Sequence, residues 1–288
     1  MSQPFTAYAL EEGSFQGQGD VRLYYRGFMP PQSKLDETLI FCHGQGEHTG
    51  RYGEFPLALQ DTGLALYGHD LRGHGQSGGR EVYVETFQNY LDDLSAFVAF
   101  LKKEGKIKGR FILYGNSLGG LIATHWAIQN PSQIRGLILS APCFGLNLHP
   151  FLKGMNRFFN TFMPGFVYRN PIYPPYLTHD PEEIEKYRQD PWIKRRISVR
   201  LLEEMFKAMR ALQIMPSWQV SFPVFFLVAG LERVVDREQS KNFYAKTQAP
   251  LKDFIDFAAF YHEIFHEKNR GDAFRVLKGC IDKISKTR

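Results

Sequence analysis

A serine flanked by glycines lies near the middle of the chain, between a short apolar run and an apolar helical pattern. Residues 111–114 are typical of a buried strand, and residues 115–119 match the pattern G-x-S-x-G with Ser117 at the centre. Glycine is needed on both sides because side chains there would collide within so sharp a turn. The succession of strand, strained turn and helix predicts a nucleophilic serine exposed at the carboxyl edge of a sheet.

Strand and helix patterns alternate on both sides of this serine. Further runs typical of strands occur at residues 21–25, 38–42, 64–67, 136–140, 224–228 and 253–260. Helical patterns occur at residues 51–61, 86–104, 236–246 and 272–285. This alternation predicts an α/β fold with a mostly parallel sheet covered on both faces. A hairpin is expected at residues 14–28, and a loop at residues 30–33.

The alternation breaks over residues 145–218, which show no strand pattern but three helical patterns. Asp180 is expected to cap the second of these helices and Ser198 the third. A helical block of this length, inserted between two strands of a sheet, is typical of a cap. We therefore expect a core domain formed by residues 1–144 and 219–288 and a helical cap, or lid, formed by residues 145–218.

A serine hydroxyl needs a general base near neutral pH, and the base needs an acid that orients it. His262 directly follows the last predicted strand and is the candidate base. Glu232 and Asp236 both follow the strand at 224–228 and compete for the role of the acid. Asp236 has the pattern of a helix N-cap, with glutamine at the third helical position. We therefore favour Glu232 as the acid and expect Asp236 to cap the helix.

Two backbone amides are the candidates for an oxyanion hole. One belongs to Leu118, which follows the serine, and the other to Gln45, in the turn after His43 and Gly44. The imidazole of His43 is expected to pack and hydrogen-bond beneath that turn.

Residues 262–266 also read H-E-x-x-H, the pattern of the zinc-binding helix of metalloproteases. Two histidines four positions apart would share a zinc ion only if both were helical. His262 stands where a strand ends, and no convincing third ligand follows it. We therefore expect no metal and no other cofactor, and a loop or helix position for His266.

Composition narrows the classes of partner. The net charge of +5 arises from 35 Lys+Arg and 30 Asp+Glu without a dense basic block, so we do not expect the protein to bind nucleic acid. This charge is compatible with weak attraction to anionic lipid. Residues 1–15 lack a secretory pattern, and no apolar run approaches the ~18 residues of a membrane span. The chain is expected to be soluble and cytoplasmic. Nothing in the sequence predicts an oligomeric state.

Several stretches together resemble the monoacylglycerol lipase and bacterial lysophospholipase branch of the α/β-hydrolases. They are HGQGEHTGRY at 43–52, HDLRGHGQS at 69–77, GNSLG at 115–119, and residues 177–183, 195–198, 232–236 and 261–264. The resemblance implies an eight-stranded, mostly parallel sheet flanked by helices, with an inserted helical cap. It places the acid at Glu232, although most relatives carry Asp there. Asn116, where many relatives have His, is expected not to affect the nucleophile.

The resemblance implies a serine carboxylester hydrolase acting on single-chain acyl lipids, namely lysophospholipids or monoacylglycerols. Ser117 would attack the ester, His262 would carry the proton, and Glu232 would orient His262. One alternative is an aminopeptidase or small-ester hydrolase of the same fold, and another is a non-catalytic receptor that binds a small molecule. A complete set of serine, acid and histidine argues against the receptor.

The first helical pattern of the predicted cap carries a large apolar stripe, with Lys153, Asn156, Arg157 and Asn160 on the opposite side. Such a stripe is either ordinary packed core or, in part, the lining of an acyl channel above Ser117 or a contact with the membrane surface. Five of its residues are candidate substrate contacts: Phe151, Met155, Phe158, Phe159 and Phe162. The other members of the stripe are Leu152 and Met163.

Overall fold

The protein is described by a computed structural model, in which residues 8–31, 37–170 and 172–287 are placed. The loop expected at residues 30–33 lies partly outside these residues, as does the beginning of the stretch 1–15. In chain order, the strands are β1 (Ala9–Gln16), β2 (Arg22–Met29), β3 (Thr38–Cys42), β4 (Ala65–His69), β5 (Phe111–Asn116), β6 (Ile134–Ser140), β7 (Val167–Arg169), β8 (Arg196–Ser198), β9 (Trp218–Gln219), β10 (Val224–Ala229), β11 (Thr247–Gln248) and β12 (Lys252–Phe257).

Eight of these strands form one sheet in the order β1-β2-β4-β3-β5-β6-β10-β12. Strands β1 and β2 form an antiparallel hairpin, and β2 also runs antiparallel to β4. All other neighbours in the sheet are parallel. The predicted hairpin and the predicted mostly parallel, eight-stranded sheet are therefore confirmed.

In chain order, the α-helices are α1 (Phe55–Ala58), α2 (Gln88–Lys103), α3 (Leu118–Gln129), α4 (Pro150–Phe162), α5 (Pro181–Gln189), α6 (Val199–Ile214), α7 (Arg237–Lys246) and α8 (Arg270–Lys286). The single helix predicted at residues 51–61 was wrong, because a 3₁₀ turn at Thr49–Tyr52 precedes the short α1. Pro56 lacks a backbone N–H and does not fit the interior of a longer helix. None of the described helices is both long and apolar enough to cross a membrane.

Strand β5 shows how the sheet is covered on both faces. Successive side chains of a strand point to opposite faces. Leu113 belongs to the buried cluster that includes residues of α2 and α3, whereas Tyr114 belongs to the cluster that includes residues of α1 and α8. All six residues of β5 are buried, so the strand that leads to Ser117 runs through the centre of the core.

Residues 145–218 contain the three predicted helices as α4, α5 and α6. The expectation that they contain no strand was wrong. Strands β7 and β8 pair with each other, and β9 pairs with β11, outside the main sheet. These strands have two or three residues each, which is too short to show the alternation that identifies a strand in a sequence. None of them extends the eight-stranded sheet, and we propose that residues 145–218 act as a cap on its carboxyl edge.

Candidate active site

Ser117 lies in the turn between β5 and α3, at the carboxyl edge of the parallel sheet. Its φ of 51° and ψ of −115° are unfavourable for a residue with a side chain. The surrounding backbone maintains this conformation. A Cβ on Gly115 would lie 2.4 Å from the carbonyl oxygen of Gly119, and a Cβ on Gly119 would lie 2.1 Å from that of Cys42. Only glycine fits either position, as predicted for this turn.

A buried pair of His262 and Glu232 lies at the same edge. Their strands, β12 and β10, are parallel neighbours, so the loops that follow them meet. Oε2 of Glu232 lies 2.8 Å from Nδ1 of His262, and the two side chains are 2% and 4% exposed. Oε1 accepts hydrogen bonds from the amides of Val234 at 2.8 Å and Val235 at 3.2 Å. Because a carboxylate only accepts, Nδ1 carries the proton and Nε2 keeps its lone pair.

The environment favours the charged form of each partner. Burial by itself would raise the pKa of Glu232, but the His262 ring and the two amide donors outweigh it, and the pKa is lowered. Burial by itself would lower the pKa of His262, but the charge and hydrogen bond of Glu232 outweigh it, and the pKa is raised. Glu263 and Glu47 add to the rise. The site thus stabilises an imidazolium when His262 takes up a proton.

Asp236, the competing acid, is bound to the start of α7. Its Oδ1 accepts a hydrogen bond from the amide of Glu238 at 3.0 Å, which makes it the N-cap of that helix. Its Oδ2 accepts from the side chain of Gln239 at 3.4 Å. Within the described part of the chain, it forms no hydrogen bond with His262. The predicted N-cap is confirmed.

The turn after β3 brings Gln45 to Ser117, and both residues line one cavity. Among the described residues, neither the amide of Gln45 nor that of Leu118 donates to another protein group. Residues of the segment 145–218 hold the side chain of Gln45, because its Nε2 donates to the carbonyl oxygen of Arg196 at 2.9 Å and its Oε1 accepts from the amide group of Asn170. The amides of Gln45 and Leu118 therefore remain free beside the serine. The turn that carries Gln45 is fixed by the bonds of the Gln45 side chain.

A buried carboxylate that the sequence did not identify links this turn to the serine. Oε1 of Glu47 accepts from the amide of Gly44 at 2.5 Å and from the side chain of Asn116 at 2.9 Å. Asn116 directly precedes Ser117, and Glu47 is 4% exposed. Arg51 lies between the carboxylates of Glu47, at 3.6 Å, and Glu263, at 2.6 Å. The network therefore connects the residue before Ser117 with the residue after His262.

The H-E-x-x-H segment does not have the geometry of a zinc helix. Only Ile264–His266 forms a 3₁₀ turn, and His262 lies outside it. Nδ1 of His262 is bound to Glu232, and Nε2 of His266 lies 3.2 Å from the carbonyl oxygen of Arg51. Within the described residues, no group of three or more His, Cys, Asp or Glu side chains is arranged to hold a metal ion.

Two apolar cavities are lined by residues of the segment 145–218, the first together with residues of the core and the second by that segment alone. The first has a volume of about 270 Å³ and includes Ser117 and Gln45. The second has a volume of about 320 Å³ and shares Leu148 and Leu202 with the first. Cys143 also lines the first cavity, but burial and the charge of Glu232 raise the pKa of its thiol, so it is a neutral neighbour of the serine. Other residues of the first cavity are Leu146, Asn147, Asn170, Ile172, Tyr173, Tyr176, Ile197, Met205, Arg233 and Val234.

Helix α4 exposes most of its apolar stripe. Phe151, Phe158 and Phe162 are 71%, 62% and 70% exposed and line neither cavity, so the alternative of packed core is wrong for them. Met155 and Phe159, together with Leu152, line the second cavity. On the opposite side of the helix, Asn156 is 4% exposed, and its amide group donates to the carbonyl oxygen of Val199 at 3.2 Å. The helix therefore docks on α6 through its polar side.

Residues 33–269 match the sequence profile of a hydrolase family described as serine aminopeptidase, S33. The chain belongs to this family. It is an α/β-hydrolase of the branch that includes monoacylglycerol lipases and phospholipases, and its mostly parallel eight-stranded sheet agrees with that fold.

Relatives with about one quarter of their residues identical cover most of the chain. The chain is 26% identical to the phospholipase YtpA of Bacillus subtilis, over 85% of this chain and 95% of that protein. It is 27% identical to YnbC of Escherichia coli over 95% of its own length, but it spans only 47% of that protein. A crystal structure of the Paleococcus ferrophilus monoacylglycerol lipase is 26% identical, with a TM-score of 0.78 over 90% of this chain and 98% of that chain.

Proposed function

We propose that the protein is a serine hydrolase that cleaves the acyl ester bond of lysophospholipids or monoacylglycerols. The observation that carries this proposal is a serine, Ser117, that lines an apolar cavity beside the free amides of Gln45 and Leu118, at the edge of the sheet where the buried His262–Glu232 pair also lies. The names of the phospholipase and monoacylglycerol lipase relatives support the same substrate class.

The reaction would proceed in two steps. In the first, Oγ of Ser117 attacks the ester carbonyl while Nε2 of His262 takes its proton. The amides of Gln45 and Leu118 stabilise the negative charge that develops on the carbonyl oxygen. The intermediate collapses to an acyl-enzyme when His262 returns the proton to the departing alcohol. In the second step, water attacks the acyl-enzyme by the same route, and the fatty acid leaves.

The cavities fit a single acyl chain. The lining of the first cavity is mainly apolar, and Leu148 and Leu202 join it to the second cavity under α4. A chain bound at Ser117 would extend past these leucines towards Met155 and Phe159. Burial of such a chain is favourable because its methylene groups leave water.

An aminopeptidase is the second candidate, since the family description includes that activity. Such an enzyme needs an acidic side chain to hold the amine of its substrate. Among the described residues that line the cavity of Ser117 there is no carboxylate, and Arg233 adds a positive charge. A substrate ammonium group would therefore be repelled where an aminopeptidase must bind it.

We also propose that α4 touches the membrane or micelle surface from which such lipids are drawn. Its outward phenylalanines Phe151, Phe158 and Phe162 form an apolar surface. The contact would rest on this apolar surface alone, because Lys153 and Arg157 lie on the side of the helix that faces Phe206 and Glu203 of α6.

A fluorophosphonate probe and a panel of substrates test the proposed function. We expect the probe to label Ser117 and to leave the Ser117→Ala variant unlabelled. The panel contains lysophosphatidylcholine, a monoacylglycerol, a short p-nitrophenyl ester and an aminoacyl amide, each assayed with and without a chelator. We expect hydrolysis of the three esters in both conditions.

Two results would contradict the proposal in different ways. Faster cleavage of the aminoacyl amide than of the esters would favour the peptidase. Loss of activity with the chelator, restored by zinc, would favour a zinc enzyme that uses the H-E-x-x-H segment.

A further inference from the structure

Arg233 is the one described positive side chain that lines the cavity of Ser117. It follows Glu232 in the chain, but the two side chains point to different places. Glu232 binds His262 inside the protein, whereas the guanidinium of Arg233 lies 5.1 Å from the ring centre of Tyr176 and 4.9 Å from that of Tyr261. Both rings hold the guanidinium by cation–π contact without removing its charge.

The charge of Arg233 has no carboxylate partner in the part of the chain that the structure describes. Among the described residues, no carboxylate lies within ion-pair distance of its guanidinium. The nearest acid in the sequence, Glu232, is already bound to His262 and to two backbone amides. Glu267, which accepts from the amide of Tyr261 at 2.7 Å, is also bound to His179 at 2.8 Å. The cavity thus presents a positive charge that the protein leaves available.

The ring of Tyr261 is a fixed platform for this charge. The His179 ring stacks on Tyr261 with a distance of 3.7 Å between ring centres and an angle of 21° between ring planes. The backbone amide of Tyr261 is held by Glu267. Because the ring and the backbone are both fixed, Arg233 is held near one position rather than moving freely in solvent.

The location of Arg233 relative to His262 indicates which part of a substrate it would meet. His262 must protonate the departing alcohol, so the head group lies on the His262 side of the ester. Tyr261 directly precedes His262, and Arg233 directly follows Glu232, the partner of His262. The acyl chain, in contrast, has the apolar lining around Leu148 and Leu202. Since the guanidinium of Arg233 contacts the ring of Tyr261, the residue before His262, it would meet the head group rather than the acyl chain.

We propose that Arg233 binds the phosphate of the head group, so that the enzyme prefers lysophospholipids with an anionic glycerophosphate head group to neutral monoacylglycerols. This inference rests on the proposed function and names the substrate class of the same site. A guanidinium presents paired N–H donors that match phosphate oxygens, which a neutral glycerol does not exploit.

Two substrates with the same short acyl chain test the inference: lysophosphatidylglycerol and monoacylglycerol, both used below their critical micelle concentrations. Under these conditions, binding of α4 to a lipid surface does not enter the rate. We expect wild-type kcat/KM to be higher for lysophosphatidylglycerol. Arg233→Gln should lower the ratio of kcat/KM for lysophosphatidylglycerol to kcat/KM for monoacylglycerol by about tenfold. This is the lower end of the effect of a hydrogen bond to a charged group, and we choose it because the guanidinium is exposed to solvent.

Two further variants separate charge recognition from other effects. Arg233→Lys keeps the charge but loses the planar donors and the stacking, so it should retain part of the preference. Arg110→Gln removes the same charge from an exposed arginine next to the N-terminal end of β5, at the opposite edge of the sheet. This control should keep the wild-type ratio. Glycerol 3-phosphate should also inhibit the wild type more strongly than glycerol or inorganic phosphate does, because it combines the phosphate with the glycerol of the head group.

The outcomes distinguish this inference from the proposed function. An unchanged ratio in Arg233→Gln would overturn the role of Arg233 while leaving lipid hydrolysis intact. An equal loss on both substrates, with a lower melting temperature, would show that Arg233 only supports the loop of Glu232, and would also overturn it. Equal inhibition by inorganic phosphate and glycerol 3-phosphate would show a general anion site instead of a head-group site. If the wild type cleaves neither lipid, the proposed function fails, and this inference fails with it.

Discussion

Replacing Glu232 with glutamine tests its pairing with His262. The amides of Val234 and Val235 donate to Oε1, at 2.8 and 3.2 Å, so the side-chain carbonyl of the glutamine keeps that position. Its NH₂ group must then face Nδ1 of His262. Because NH₂ does not accept, Nδ1 becomes the acceptor and the ring proton moves to Nε2. Nε2 then has no lone pair to take the proton of Ser117.

The expected loss follows from this change of tautomer. A neutral amide in the place of the acid lowers kcat by about four orders of magnitude in the well-studied serine protease case. Glutamine has the shape of glutamate, and the side chain is only 2% exposed, so the fold should be retained. We therefore expect Glu232→Gln to lose between about a thousandfold and about ten-thousandfold in kcat on a soluble ester.

The pH profile gives an independent readout. His262 must be neutral to act as a base, so kcat/KM rises as the pH passes the pKa of His262. Burial alone would lower this pKa. The charge and hydrogen bond of Glu232 outweigh burial, so the pKa is raised above its ordinary 6.5. Without the charge of Glu232, the effect of burial dominates. The acid limb of the profile should therefore move to lower pH in Glu232→Gln.

The assay is kcat/KM on a short soluble ester from about pH 5 to about pH 9 for the wild type and two variants. Asp236→Asn is the matched control, because asparagine also caps helices, and we expect its stability to change by less than about 1 kcal/mol. The reasoning is refuted if Glu232→Gln keeps activity within about tenfold of wild type, or if a folded Asp236→Asn is the inactive variant.

Two further predictions concern the exposed side of α4 and the turn at Ser117. Phe158→Asp should lower activity on long-chain lipid in vesicles but spare a short soluble ester, with the free energy of unfolding within about 0.5 kcal/mol of wild type, because Phe158 is 62% exposed. Equal loss on both substrates and a lower melting temperature would assign Phe158 to packing. Gly119→Ala should destabilise by about 3 kcal/mol or more in denaturant titration, because the new Cβ would lie 2.1 Å from the carbonyl oxygen of Cys42. If Gly119→Ala unfolds at the wild-type midpoint, the turn accommodates the added Cβ and the prediction is wrong.

The features that the sequence predicted are those with a local pattern. The strand and helix around Ser117 are visible because an apolar run, two glycines and a helical period follow one another directly. The N-caps Asp180, Ser198 and Asp236 were predicted from the residue at the cap and those that follow, and each accepts the expected backbone hydrogen bond. Local chemistry determines such features, so little tertiary information is needed.

The features that the sequence did not predict depend on contacts between distant positions. The bond between Asn116 and Glu47 joins residues 69 positions apart. The rings around Arg233 come from Tyr176, in residues 145–218, and from Tyr261, next to His262. Nothing in the composition of either stretch indicates that these groups meet. Their positions follow from the sheet order, which places the loops after β10 and β12 side by side.

Helix α4 marks the limit of what periodicity predicts, because an amphipathic pattern shows that two sides differ but not which side meets the protein. Here the polar side docks, and Asn156 bonds to the carbonyl oxygen of Val199 at 3.2 Å. The outward side leaves Phe151 and Phe162 about 70% exposed, in an apolar surface of the kind that marks interaction sites. Since the cavity under the same helix shares its leucine lining with the cavity of Ser117, lipid bound at that surface would have a short apolar route to the serine.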